Sequence, residues 1–78
     1  MASTVLVSGT YQHYKGQQYQ VLGISRHSET LEEFVVYRAL YGDFGLWIRP
    51  AGMFVEHVTI NNQQIPRFKL IKEERKPL

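Results

Sequence analysis

A chain of 78 residues has room for one domain with one modest core, and this chain contains no cysteine. Disulfides, iron–sulfur clusters, cysteine-based zinc sites and thiol nucleophiles are therefore excluded. Five Tyr, four Phe and one Trp, 13% of the chain, can close a small core without such cross-links, because aromatic side chains bury large areas. The net charge of +2 is too small to predict a nucleic-acid partner by itself.

No membrane or export segment is evident in the sequence. The longest apolar run, Phe34-Val35-Val36-Tyr37, is far shorter than the roughly 20 residues that a membrane-spanning helix needs. Residues 1–8 lack the basic stretch that precedes the apolar run of a signal peptide. Since cysteine is also absent, the sequence predicts a cytoplasmic protein with no membrane partner.

Short apolar runs lie between turn-forming residues along the chain, which is typical of an all-β sandwich or barrel. Residues 19–24 are predicted to form a strand with a bulge or close approach at Gly23. Residues 46–49 are predicted to form a short strand that ends at Pro50, because proline has no backbone N–H to continue a ladder.

A hairpin is predicted from residues 55–60 and 65–71, with its turn at Asn61-Asn62. Asparagine tolerates the positive φ that tight hairpin turns require. Pro66 indicates that its strand lies at a sheet edge or carries a bulge.

Residues 30–42 fit two different structures. Thr30 and Glu33 have the spacing of a helix capping box, and Gly42 is suited to end such a helix. The run Phe34-Val35-Val36-Tyr37 is instead rich in β-branched and aromatic residues, which favours a strand covered on both faces. The residues alone favour the strand only slightly.

A succession of short motifs resembles a known bacterial family. The motifs are Gly9-Thr10-Tyr11-Gln12-His13-Tyr14-Lys15-Gly16, Tyr19-x-Val21-Leu22-Gly23, Arg26-His27-Ser28-Glu29-Thr30, Val35-Val36-Tyr37, Leu40-Tyr41-Gly42-Asp43, Leu46-Trp47-Ile48-Arg49-Pro50 and Met53-Phe54. Together they resemble the domain-of-unknown-function family 1653 (DUF1653). That family has no assigned function, so the resemblance supplies none.

The resemblance implies an all-β fold, a small SH3-like barrel of about five to six short strands with room for one helical turn. It strongly favours a strand over a helix for the segment 34–41. The expected organisation is an N-terminal extension (1–8), a single barrel domain (9–71) and a charged C-terminal tail (72–78). Where the family pattern has an Asp-Gly-type turn, this chain has Asn61-Asn62, which keeps the same turn chemistry.

The most polar segment between two apolar stretches contains five hydrogen-bonding side chains: Arg26, His27, Ser28, Glu29 and Thr30. Loops on a rigid β domain often carry binding residues, so one interpretation is a loop that contacts a ligand. The alternative is a local role, in which Ser28 and Thr30 bond to neighbouring backbone.

Nucleophilic catalysis by this loop is disfavoured. His27 and Ser28 are adjacent, and neighbours on an extended chain point to opposite sides. The sequence has no Gly-x-Ser-x-Gly elbow and no glycine-rich phosphate loop. His13, His27 and His57 also lack the spacing of metal ligands. We therefore predict no metal or other cofactor, and a small enzyme or enzyme subunit that uses His27 and Glu29 is the least favoured function.

Aromatic residues provide a second candidate surface. Trp47 and Arg49 alternate along one predicted strand and therefore share a face, where a ring and a guanidinium can stack on a planar or anionic ligand. The competing interpretation is that most rings fill the core. We predict a non-enzymatic binding module for a peptide, a partner protein or a second copy of the chain. Its predicted face is made of Arg26, His27, Ser28, Glu29 and Thr30 with Trp47, Arg49 and Phe54.

Positive charge is concentrated towards the C-terminus. From residue 67 onward five bases oppose two acids, a net charge of +3, whereas the preceding residues carry four bases and five acids, a net charge of −1. Such an end is usually a solvated tail, so nucleic-acid binding is the alternative function rather than the favoured one. The residues that would carry it are Arg67, Lys69, Lys72, Arg75 and Lys76.

Overall fold

The computed structural model describes residues 6–74, which form seven strands and one short helix. The strands are β1 (Gly9–His13), β2 (Gln18–Arg26), β3 (Glu33–Ala39), β4 (Leu46–Pro50), β5 (His57–Ile60), β6 (Gln63–Pro66) and β7 (Phe68–Glu73), and helix α1 (Ala51–Phe54) lies between β4 and β5. The all-β class is confirmed, with seven strands in place of the five or six expected. Within residues 6–74, no helix is long and apolar enough to cross a membrane.

Five strands form one antiparallel sheet in the order β4-β3-β2-β1-β7, and β5 and β6 form a separate hairpin. The described strands do not close into a hydrogen-bonded barrel, so β4 and β7 are the two edges of the large sheet. Aromatic side chains join these edges instead. Phe54, which follows β4, stacks on Phe68 of β7 with ring centroids 4.2 Å apart and an interplanar angle of 3°.

The segment that fitted both helix and strand is strand β3, so the helix interpretation is wrong. Its alternate residues Val35, Tyr37 and Ala39 are buried, and the strand pairs with β2 on one side and β4 on the other. Pairing with strands on both sides satisfies backbone groups along β3, which a local capping box cannot outweigh.

The predicted bulge and turn are both present. The register between β2 and β3 shifts between Val21 and Gly23. Asn61 and Asn62 have φ values of 51° and 63° and connect β5 to β6, as a two-residue hairpin turn requires.

The predicted strand 65–71 is divided in two at Arg67. Its first part belongs to β6, which pairs with β5, and its second part is β7, which pairs with β1. The division occurs where the backbone N–H of Arg67 donates to the carbonyl of Glu56 at 2.9 Å.

The core is largely aromatic, as the composition suggested. Phe54 is 1% exposed and meets the rings of Tyr11 and Tyr37 edge-on, at centroid distances of 5.6 and 5.5 Å. Edge-to-face and stacked pairs of this kind contribute beyond the area they bury. The buried apolar residues are Tyr11, Val21, Val35, Tyr37, Ala39, Ala51, Phe54 and Phe68.

Removing the Phe54 ring should therefore cost a large part of the stability. We expect Phe54→Ala to lower the free energy of unfolding by about 3–5 kcal/mol, the usual cost of emptying a buried phenylalanine site. Met53→Ala is the matched control, since Met53 lies on the same helix turn but is about half exposed. Urea denaturation followed by circular dichroism measures both. A loss below about 1 kcal/mol for Phe54→Ala, typical of a surface substitution, would contradict this account of the core.

Candidate functional site

The polar loop between β2 and β3 is held by its own side chains. Nδ1 of His27 accepts hydrogen bonds from the backbone N–H groups of Glu29, at 3.2 Å, and Thr30, at 3.3 Å. Oγ1 of Thr30 accepts the N–H of Glu32 at 3.2 Å. These bonds satisfy backbone donors that the turn leaves unpaired, which gives His27 and Thr30 a role within the loop itself.

This arrangement does not resemble a nucleophile and its base. Because Nδ1 of His27 is occupied by two backbone donors, that nitrogen is not directed at the Ser28 hydroxyl as a general base must be. Arg26, Ser28 and Glu29 are exposed. Within residues 6–74, no three His, Asp or Glu side chains lie close enough together to hold a metal ion.

Trp47 and Arg49 do share a face of β4, the one directed towards the core. In the β3–β4 register Trp47 is opposite buried Tyr37, and Arg49 is opposite buried Val35. The Arg49 guanidinium carbon lies 5.8 Å from the centroid of the Phe68 ring, within cation–π range. Trp47, further along the strand, is 57% exposed.

The remaining members of the predicted face do not join them in one surface. Phe54 is a core residue, so its assignment to a binding face is wrong: its ring is fully packed against Phe68 and two tyrosines. The polar loop lies beyond the Pro50 end of β4, because Pro50 is opposite Phe34 near the start of β3. Arg49 is therefore nearer to the loop than Trp47 is.

The backbone of β4 has an open side. The N–H of Ala39 in β3 donates to the carbonyl of Gly45 at 3.0 Å, and backbone direction alternates along an antiparallel strand. The N–H and C=O groups of Trp47 and Arg49 therefore face β3, while those of Leu46 and Ile48 face away from the sheet. The side chains of Leu46 and Ile48 are 56% and 62% exposed.

Sequence reasoning missed Leu46 and Ile48. They lie in a run of apolar residues that is compatible with a strand inside a sheet, and only the sheet order makes β4 an edge. The one local signal was Pro50, which cannot donate a hydrogen bond and is common at edges.

A second feature lies where residues of β1, β6 and β7 meet. A pocket of about 420 Å³ opens there, lined by Gln12, His13, Tyr14, Gly16, Ile65, Pro66 and Lys69. Two further cations lie beside it: Nζ of Lys15 is 5.8 Å, and the guanidinium carbon of Arg67 6.0 Å, from the centroid of the Tyr14 ring. We call these nine residues together the basic pocket.

Two of the bases predicted to contact nucleic acid, Arg67 and Lys69, belong to the basic pocket. Lys72 is exposed on β7 opposite Thr10, three residues further along. Arg75 and Lys76 lie outside the described residues. The pocket also contains residues that sequence reasoning did not select, because the turn that carries Tyr14 and Lys15 is about fifty positions away from Arg67.

His13 lies among these cations and has a lowered pKa. Burial is the largest cause, followed by the positive charges of Arg67, Lys15 and Arg49. Its Nδ1 accepts the backbone N–H of Lys15 at 3.1 Å, so the neutral ring carries its proton on Nε2. A second proton on the ring would remove this acceptor and add a charge next to three cations.

The class of protein is now defined: a small all-β domain whose described residues include the open edge strand β4 and the basic pocket. A sequence model of the family described as "Protein of unknown function (DUF1653)" matches residues 9–70, so the chain belongs to the DUF1653 family. A crystal structure of a DUF1653 protein from Bordetella bronchiseptica is similar to it, with 34% identity, a TM-score of 0.79, and coverage of 92% of this chain and 95% of that one. No curated protein matches the chain.

The lowered pKa of His13 predicts a specific pH dependence of stability. The unfolded chain binds a proton at the ordinary imidazole value of 6.5, whereas the folded chain binds it only at lower pH. The stability contributed by neutral His13 is therefore complete above about pH 6.5 and is lost as the pH falls through the folded pKa. We expect His13→Gln to flatten the fall in unfolding free energy between about pH 7.5 and about pH 5. Urea titrations across this range measure it, and parallel curves for the two proteins would contradict the assignment.

Proposed function

We propose that this chain is a non-enzymatic binding module that adds an extended segment of a partner protein to the open edge of β4. The observation that carries the proposal is the outward direction of the backbone N–H and C=O groups of Leu46 and Ile48, derived from the Ala39–Gly45 hydrogen bond. Unpaired groups on an edge strand are the usual template for strand addition, in which main-chain hydrogen bonds supply affinity.

The side chains of β4 support specificity as well as attachment. Leu46 and Ile48 project to the outer face, where Ile48 is opposite half-buried Val36. Trp47 and Arg49 project to the other face. A partner strand places alternate residues on these two faces. The partner that fits has apolar side chains next to Leu46 and Ile48, and a carboxylate or aromatic side chain next to Arg49 and Trp47.

Arg49 is available for such a carboxylate. Its guanidinium lies over the face of the Phe68 ring, and a guanidinium on an aromatic ring keeps its in-plane N–H donors directed outwards. An acidic side chain on the partner strand would complete a charge-assisted hydrogen bond there.

The short length of β4 limits the strength of this interaction. Pro50 has no N–H, so the outward donors of the strand are those of Leu46 and Ile48. Pairing along so few residues is typical of weak, transient recognition rather than of permanent assembly. We also place this activity in the cytoplasm, on the basis of a sequence with no cysteine.

Selection from a random library of short peptides, displayed on phage, tests the proposal. We expect selected peptides with apolar residues at alternate positions. Ile48→Lys and Trp47→Ala should each weaken a selected peptide at least about tenfold, a loss of about 1.4 kcal/mol, with an unchanged circular dichroism spectrum. Thr59→Lys is the matched control because Thr59 is an exposed strand residue of the β5–β6 hairpin. N-methylation of the peptide residues whose N–H groups face β4 should abolish binding. N-methylation of the intervening residues should leave binding unchanged.

Two results would contradict this account. Peptides whose binding is unaffected by Ile48→Lys, or weakened equally by Thr59→Lys, do not use the β4 edge. Failure to select any peptide, together with a concentration-dependent dimer in sedimentation equilibrium that Ile48→Lys abolishes, would assign the edge to a second copy of the chain instead of a partner. If two antiparallel β4 strands paired with Ile48 opposite Ile48, Trp47 of each copy would lie opposite Arg49 of the other.

A further inference from the structure

The basic pocket combines positive charge with an aromatic surface. Lys15 and Arg67 both approach the Tyr14 ring, and Lys69 lies in the pocket lining. Ile65 and Pro66 provide apolar surface in the same lining. A volume of about 420 Å³ is within the range of small-ligand sites, about 300–1,000 Å³. The pocket is therefore large enough for a ligand with both an anionic and a planar part.

The cations of this pocket have no acidic partner in the described part of the chain. Lys15, Arg67 and Lys69 make no ion pair within residues 6–74. Nε of Arg67 is buried and has no hydrogen-bond acceptor among the same residues. A buried donor without an acceptor costs free energy, so an acceptor supplied by a ligand would recover it.

His13 lies next to the same cations and is affected by their charge. Burial is the largest cause of its lowered pKa, and the positive charges of Arg67, Lys15 and Arg49 lower the pKa further. The cations thus converge on one point of the structure rather than being dispersed over the surface. Convergent cations with no counter-charge are what an anion site requires.

We infer that the basic pocket binds a nucleotide unit, with its phosphate held by Lys15, Arg67 and Lys69 and its base against Tyr14 and Pro66. Lysine and arginine bind phosphate, and a base stacks on an aromatic ring without regard to its identity. This surface is built from residues of β1, β6, β7 and the turn after β1, and its lining contains no residue of β4. The inference therefore does not depend on the proposed strand addition.

The same chemistry is offered by a free nucleotide and by a single strand of nucleic acid, and Lys72 distinguishes them. In the β1–β7 register Lys69 is opposite Gln12 and Lys72 is opposite Thr10. Gln12 and Thr10 are alternate residues of β1 and share a face, so the two lysines lie along one track. A strand that continues beyond the pocket would place a further phosphate near Lys72, whereas a single nucleotide would not reach it.

Titration of the full chain at low salt tests the inference, with inorganic phosphate, uridine monophosphate and a short oligouridylate as probes. Chemical shifts of His13, Tyr14 and Lys69 are followed by NMR, together with the pKa of His13. We expect the two nucleotide probes to shift these residues more than inorganic phosphate does and to raise the His13 pKa, because a bound phosphate stabilises the imidazolium. Affinity should fall steeply with salt.

Charge-matched variants complete the test. Lys69→Ala should weaken nucleotide binding about tenfold, whereas Arg26→Ala, which removes the same charge from an exposed position at the end of β2, should change it little. A loss on Lys72→Ala seen for oligouridylate alone would identify a nucleic-acid strand, and no such loss would identify a free nucleotide. The inference is overturned if none of the probes shifts His13, Tyr14 or Lys69, or if Arg26→Ala weakens binding as much as Lys69→Ala.

Discussion

The stacked pair Phe54–Phe68 is the contact on which the rest of this structure depends. The five-stranded sheet has two edges that hydrogen bonds do not join within residues 6–74. Phe54 is attached to one edge by α1, Phe68 belongs to the other, and their parallel rings lie 4.2 Å apart. Side-chain packing thus does the work that backbone pairing does in a closed barrel. The chain has no cysteine, and the area of its aromatic rings supports this closure.

Closure by side chains has a direct consequence for function, because it leaves the backbone of β4 unpaired on its outer side. A barrel closed by hydrogen bonds would have used the outward groups of Leu46 and Ile48. The same closure brings Arg49 over the Phe68 ring, at 5.8 Å from its centroid, and its charge reaches His13. Arg49, a residue of the β4 edge, therefore lies close enough to the basic pocket for its charge to act on His13.

The sequence predicted those features that depend on local chemistry. The bulge at Gly23 follows from a glycine within a strand, and the turn at Asn61-Asn62 follows from the tolerance of asparagine for positive φ. The end of β4 at Pro50 follows from the missing N–H. The family resemblance then assigned segment 34–41 to a strand, where the capping box of Thr30 and Glu33 had pointed to a helix, and the structure has a strand at residues 33–39.

Features that depend on contacts between distant residues could not be predicted from the sequence. Phe54 was predicted to lie on a binding face, yet its partner in the core is fourteen positions away in β7. Tyr14 and Lys15 lie close to Arg67 only because β1 pairs with β7. That pairing joins the two ends of the described chain. Edge position is likewise a property of the whole sheet. Pro50 is the one local sign that Leu46 and Ile48 lie on an edge strand.

Backbone amide hydrogen exchange shows whether the outer side of β4 is open and receives a partner strand, because it reports on each N–H separately. In the free domain the amides of Trp47 and Arg49, which face β3, should be protected, and the amide of Ile48 should exchange rapidly. Addition of a β4-binding peptide should slow exchange at Ile48 and leave the other two nearly unchanged. An Ile48 amide that is already protected in the free monomer, or that stays fast in the complex, would show that the β4 edge is not where the partner strand binds.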